Sequence, residues 1–178
     1  MKKLILTMLV LSVALFTAYG QKVKLDVGMK APDWKFTDAD GKEFTMASWP
    51  GKVLQINYVD PDESDLNDVF NDAVKKAKDV DKRISGDKFK GFGIVDCAST
   101  WKPDFLIRTI AGNKAKKYET TILFDYDRVL QKSWGMPEDN YTVVIVDKNR
   151  ICRAIYKGKV PDSEIENIIK LIIKLGEE

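Results

Sequence analysis

The sequence predicts an α/β fold, a central mixed β-sheet flanked by helices with a β-hairpin extension at its N-terminal side. Three observations carry this. Lys52 to Leu66, KVLQINYVDPDESDL, reads as a buried strand running straight into a helix start. A second apolar strand and a second helical pattern follow it, which is the alternation that builds parallel strand pairs. Near the C-terminus, Tyr141 to Asp147 and Arg150 to Tyr156 are separated only by Lys148-Asn149, which demands an antiparallel pair.

In chain order, residues 1–20 read as a cleavable secretory signal. Lys2 and Lys3 precede an apolar run from Leu4 to Phe16, which ends in the small-residue pattern Ala18-Tyr19-Gly20. The run is shorter than the ~20 apolar residues of a membrane span, and nothing later in the chain is longer. No cysteine stands at the cleavage point to take a lipid anchor. A periplasmic protein with one domain over residues 21–178 and no membrane anchor after cleavage is therefore expected.

Val23, Leu25 and Val27 alternate with polar residues as a short strand or extended lead-in. Trp34 and Phe36 lie on one side of Asp40-Gly41, with Phe44 and Met46 on the other, so Asp-Gly supplies a hairpin turn. After the Trp49-Pro50-Gly51 turn comes the apolar strand Val53 to Val59. Within it, Gln55 and Asn57 would need hydrogen-bond partners if buried. Asp60 is an N-cap candidate with Pro61 at the first helical position and Glu63 three residues on, a capping-box arrangement. Leu66, Val69, Phe70, Ala73, Val74, Ala77 and Val80 then recur at helical spacing, with Lys75, Lys76, Lys78 and Asp79 on a solvated face.

Phe89 to Cys97 is the second core strand. A helix over Pro103 to Lys117 carries the apolar stripe Phe105, Leu106, Ile110 and Ala111. Thr121 to Phe124 is a short strand, Arg128 to Trp134 a short helix stopped by Gly135, and Met136 to Asn140 a loop. The final helix, Asp162 to Leu175, shows Ile165, Ile168, Ile169, Ile172 and Ile173 on one face. Trp34, Trp49, Trp101 and Trp134 are read as packing residues.

Composition excludes several chemistries. Loss of Lys2 and Lys3 with the leader brings basic and acidic groups to parity, against the basic face that nucleic-acid binding requires. The chain has no histidine, which removes the usual neutral-pH base and the commonest zinc ligand. The two cysteines are Cys97 and Cys152.

Particular residues resemble a known group. Gly28, Ala31, Pro32 and Asp33, then Asp40-Gly41-Lys42, then Gly51-Lys52-Val53 and Asn57 are similar to the opening of the peroxiredoxin and TlpA/ResA-like proteins of the thioredoxin-like fold. Matching Asn57-Tyr58 to the Asn-Phe before that group's C-x-x-C run places Glu63 and Leu66 at the cysteine positions, and Tyr141 at the usual proline. Together with the signal peptide, Tyr58 to Asn67, YVDPDESDLN, resembles the YtfJ-like family of exported thioredoxin-fold proteins. The resemblance implies a thioredoxin-like fold that lacks the redox dithiol. It also implies a topology with Cys97 and Cys152 separated by three strand spacings of ~4.8 Å, beyond the ~7 Å reach of a disulfide.

That topology brings Asp60, Asp62, Glu63, Asp65, Asp96, Cys97, Thr100, Pro137 and Asn140 to one sheet edge. The expected role of this edge is binding, as an accessory or regulatory partner of a periplasmic protein or small ligand, without a cofactor. The alternative is a single-thiol peroxidase or thiol-disulfide reductase using Cys97, whose acidic neighbour Asp96 opposes a thiolate. Converging carboxylates could hold a hard cation, yet the calcium-loop pattern fails: Asp65 stands where glycine is required and Asn71 where glutamate is expected.

Overall fold

A computed structural model describes residues 24–178. The leader at residues 1–20 and Val23 of the lead-in lie outside the described residues. The elements run β1 (Lys35–Thr37), β2 (Glu43–Thr45), β3 (Val53–Val59), α1 (Asp68–Asp79), β4 (Phe89–Asp96), α2 (Asp104–Tyr118), β5 (Thr121–Asp125), α3 (Val129–Trp134), β6 (Tyr141–Val146), β7 (Cys152–Lys157) and α4 (Asp162–Glu177). They form a 7-stranded sheet in the order β2-β1-β5-β4-β3-β6-β7. Strands β3, β4 and β5 are parallel, and the β1–β2 hairpin and the β6–β7 pair add antiparallel flanks. Among the described residues no helix is long and apolar enough to cross a membrane.

Side-chain alternation divides the core. Leu54, Ile56 and Tyr58 of β3 join Phe92 and Ile94 of β4 on one face, under the N-terminal segment and α3. Val53 faces the other way, with Phe70, Val74 and Ala77 of α1 and Ile168, Ile169 and Ile172 of α4. On that same face α2 covers β4 and β5 through Ile107 and Ala111.

Several local expectations are corrected. Of the two readings of the lead-in, the structure takes the extended one, with Leu25 buried and in no strand. In the β1–β2 turn only Gly41 takes a positive φ, +79°, and the Asp38 carboxylate closes the turn by accepting the Asp40 and Lys42 N–H groups, each at 3.0 Å. The long helix starts at Asp68 and not at Asp60. Pro61–Glu63 makes a separate 3₁₀ turn capped by Asp60. The capping box does not close, because the Asp60 N–H is taken by the Asn140 carbonyl at 3.0 Å. Asn67, preceding the helix, spends its side chain on the far end of the chain, donating to Gly158 O (3.1 Å) and accepting from Val160 N (2.8 Å). In α2 the buried stripe is Ile107 and Ala111, and Phe105 and Leu106 are exposed. Val69 and Val80 are exposed as well.

Candidate functional site

The parallel strands β3, β4 and β5 end together, and β6 begins beside them with Tyr141 opposite Val59. This register gathers the loops after each strand at one edge. The loop after β4 is latched onto the loop after β3. Thr100 Oγ1 donates to Asp62 Oδ2 at 2.8 Å, and the Lys102 ammonium pairs with the same carboxylate. Arg128 ties in the third loop, donating to the Ala98 carbonyl at 2.7 Å and pairing with Glu138 at 3.3 Å.

The nine residues expected at this edge divide. Asp60, Asp62, Thr100 and Asn140 are brought together there. Asp60 is buried and accepts the Asp62 N–H at 2.7 Å. Burial raises its pKa, the Ser99 hydroxyl pulls it back, Asp139 adds to the rise and Lys102 again opposes. Pro137 lies half-buried in the loop before β6. Glu63 is exposed, and Asp65 turns away to pair with Lys114 of α2 at 2.7 Å. The acidic residues therefore disperse to different partners. Among the described residues no group of three or more metal-ligating side chains converges.

Asp96 and Cys97 leave the edge in opposite directions, as successive strand residues must. Asp96 is buried beneath the sheet, where Gln131 Nε2 donates to one oxygen and the Ala98 N–H to the other. Tyr58 and Asp125 are its neighbours, and the Tyr58 hydroxyl donates to Asp125 Oδ2 at 3.4 Å. Burial raises the Asp96 pKa, its hydrogen bonds partly offset that, and the Asp125 charge adds to the rise. The folded chain thus holds the Asp96 proton more tightly than the unfolded chain. Its stabilising contribution is fully present below the unfolded value of ~3.9 and is lost as pH rises through the folded value. Asp96→Asn is therefore expected to raise Tm near neutral pH and to lose that advantage near pH ~4, which melting curves at the two pH values will check. An equal shift at both would sink this account.

Cys97 packs under α2 with Val95, Ile107, Ala111 and Phe124. Its thiol donates to Val95 O at 3.6 Å. Burial, followed by Asp104, Asp96 and Asp125, pushes its pKa up to about 12, with Arg108 opposing. Cys152 is fully buried across the sheet, separated from β4 by β3 and β6, and burial pushes it up to about 11. Both cysteines are free thiols.

Sequence reasoning missed Lys102 and Arg128, whose roles depend on loop closure that no local pattern announces. It also misread Trp101. Trp34 and Trp134 are buried and Trp49 stacks on Phe44 with centroids 5.4 Å apart, but Trp101 is 89% exposed. It stands at the edge between Thr100 and Lys102, with Phe105 71% exposed at the start of α2. Tyr126 nearby is also exposed, held by Asp104 at 2.6 Å and Arg108 at 2.8 Å.

Residues 33–175 match the family YtfJ_HI0045, described as "Bacterial protein of unknown function". Among curated proteins, the chain is 25% identical to chloroplastic peroxiredoxin Q of Populus jackii over 165 residues, covering 85% of this chain and 70% of that one. Peroxiredoxin Q of Oryza sativa subsp. japonica is likewise 25% identical over 163 residues, with 85% and 69% covered. Solved structures give the fold. The thioredoxin domain of a thiol-disulfide oxidoreductase from Bacteroides vulgatus superposes with a TM-score of 0.60 at 12% identity, over 84% of this chain and 99% of that one. The exposed lipoprotein thioredoxin of Streptococcus pneumoniae gives 0.58 at 18% identity, over 79% and 99%. The fold is thioredoxin-like.

Proposed function

The chain belongs to the YtfJ_HI0045 family, and from that membership and the geometry of the edge we propose that it works by binding a protein partner and not by thiol chemistry. The observation that carries this reading is a reversal of what a thioredoxin-like redox site needs. The thiols are buried and held far above neutral pH, while Trp101 and Phe105 project into solvent at the edge. A thiol must ionise and be reached in order to attack, and the burial of Cys97 and its raised pKa count against both. Exposed aromatics flanked by fixed polar groups are what a protein interface uses as anchors. The Thr100–Asp62–Lys102 latch supplies those polar groups and fixes the loop that carries Trp101.

The same reading takes residues 1–20 as a cleaved leader, residues 21–178 as one domain and the periplasm as the place of action. A mass for the exported protein that begins near residue 21 would support it.

A benzophenone side chain placed at position 101 is expected to trap a discrete protein adduct in the exported fraction, while one at the exposed position 170 on α4 traps none. Equal labelling at both positions would remove the edge from the reading.

The similarity to peroxiredoxin Q favours a second reading, in which Cys97 reduces peroxide or a disulfide and an external thiol resolves it. The two part at a thiol titration. The folded protein at neutral pH is expected to leave both thiols unmodified on a timescale in which the unfolded chain reacts fully. Rapid modification of Cys97, or peroxide consumption that Cys97→Ser abolishes, would establish the redox reading instead.

A further inference from the structure

A cleft of about 240 Å³ opens between α1 and α2, on the face of the sheet that carries Gln55 and Asn57. Its lining reaches the loop after β3 at Pro61 and Ser64, and most of it is formed by the sheet and the two helices behind that edge. Beneath it β4 presents Gly91 and Gly93 where its alternation would otherwise place side chains. Neither glycine takes a positive φ. A Cβ on Gly91 would meet the Phe89 ring at 3.5 Å, and one on Gly93 would meet Ile122 at 3.6 Å, both ordinary contacts. The backbone therefore does not require glycine at either position. What the two glycines do is leave space.

The floor of that space is polar and interlocked. Gln55 Nε2 donates to Asn57 Oδ1 (3.2 Å) and to Asn71 Oδ1 (3.0 Å), and Asn71 Nδ2 donates to the Tyr141 hydroxyl (2.9 Å). Gln55 is 3% exposed, yet its Oε1 has no hydrogen-bond partner among the described residues. That oxygen lies 3.9 Å from where a Gly91 Cβ would stand, so it faces the emptied volume. A buried acceptor left unsatisfied is costly, and an occupant carrying a donor would relieve that cost. Above the floor, Val74, Ile107, Ile110 and Ala111 make the walls apolar. Where α1 faces α2 the charges at the mouth answer one another, Lys114 pairing with Asp65 and Asp68 and Lys75 with Asp79 and Glu119, while at the far end Lys52 donates to the Gly86 carbonyl and Lys90 lies over the Trp49 ring. An ionic ligand entering between the helices would have to break those pairs.

We propose that the cleft between α1 and α2 is a binding site for a small, uncharged, mostly apolar molecule that carries an N–H or O–H donor to Gln55. The volume suits a bicyclic ring, since an apolar cavity of ~150 Å³ already takes benzene. This site does not depend on the edge acting as a protein interface, and its test uses a different readout.

Indole serves as the probe, with indene as the same frame lacking the N–H. Indole is expected to shift the Gly91 and Gly93 amide resonances saturably, and indene to bind about tenfold more weakly. Gln55→Leu, similar in size but without the acceptor, is expected to abolish the preference for indole. Gly93→Ala fills part of the cleft without strain and is expected to weaken indole several-fold while leaving Tm equal or higher, so loss of binding there is not loss of fold. No saturable shift at millimolar indole, or a preference over indene that survives Gln55→Leu, overturns the proposal.

Discussion

Trp134→Ala is expected to destabilise the fold by about 3–5 kcal/mol, among the largest effects available in this chain. Trp134 closes α3 and is fully buried in the core layer formed by Leu25, Trp34, Leu123 and Leu130. Its indole N–H donates to the Pro32 carbonyl at 3.0 Å, and its own carbonyl accepts the Leu25 N–H at 2.8 Å. One residue thus fastens the N-terminal lead-in to the underside of the sheet. Truncation leaves a cavity in this layer and orphans the Pro32 oxygen. Trp134→Phe keeps most of the volume and loses the hydrogen bond, so it is expected to cost less than half as much. Urea denaturation read by circular dichroism will separate the two, with a lower midpoint and an unchanged slope for the alanine variant. A loss below ~1 kcal/mol for Trp134→Ala would mean that the layer collapses around the gap.

The parts of the fold that were legible in the sequence are those written by side-chain periodicity. The apolar run Val53 to Val59 became β3, the isoleucine stripe became α4 and Gly135 stopped α3 with φ at +65°. Where a local signal competed with a distant partner, the distant partner won. Asp60, Pro61 and Glu63 had every mark of a long helix's start. The Asn140 carbonyl nevertheless claims the N–H that a capping box would use, and Asn67 is drawn to Gly158 and Val160. The α2 stripe failed for a different reason: that helix is nearly uniform in apolar content around its circumference, so which face is buried depends on the sheet beneath it. At the site, period-two alternation from Phe89 through Gly91, Gly93 and Val95 assigns Cys97 to the α2 side of the sheet, away from Asp96. The exposure of Trp101 has no such signal, because a tryptophan before a helix start reads the same whether it packs or projects.

Arg150→Ala is the second large loss expected, about 2–4 kcal/mol, and here the cause is hydrogen bonding and not volume. The half-buried guanidinium sits at the opposite end of β3 from the loop edge and donates to four carbonyls: Met46 at 2.8 Å, Lys52 at 2.9 Å, Trp49 at 2.6 Å and Asp147 at 3.4 Å. Burial lowers its pKa, with Asp147 and Asp33 opposing. An arginine remains charged throughout the accessible pH range, so the loss should not vary with pH. It should also resist salt, since the partners are carbonyl dipoles and not ions. Arg150 holds a φ of +66° in the β6–β7 turn, so Arg150→Gly relieves backbone strain that Arg150→Ala keeps. The glycine variant is therefore expected to lose less than the alanine variant, and the gap between them measures the strain. Because Met46 and Trp49 belong to the segment following β2, the first amides to lose hydrogen-exchange protection should be those of the β1–β2 hairpin, ahead of β3 and β4. Simultaneous loss across the whole sheet would show that the guanidinium stabilises the fold globally and does not act as a staple for its N-terminal hairpin.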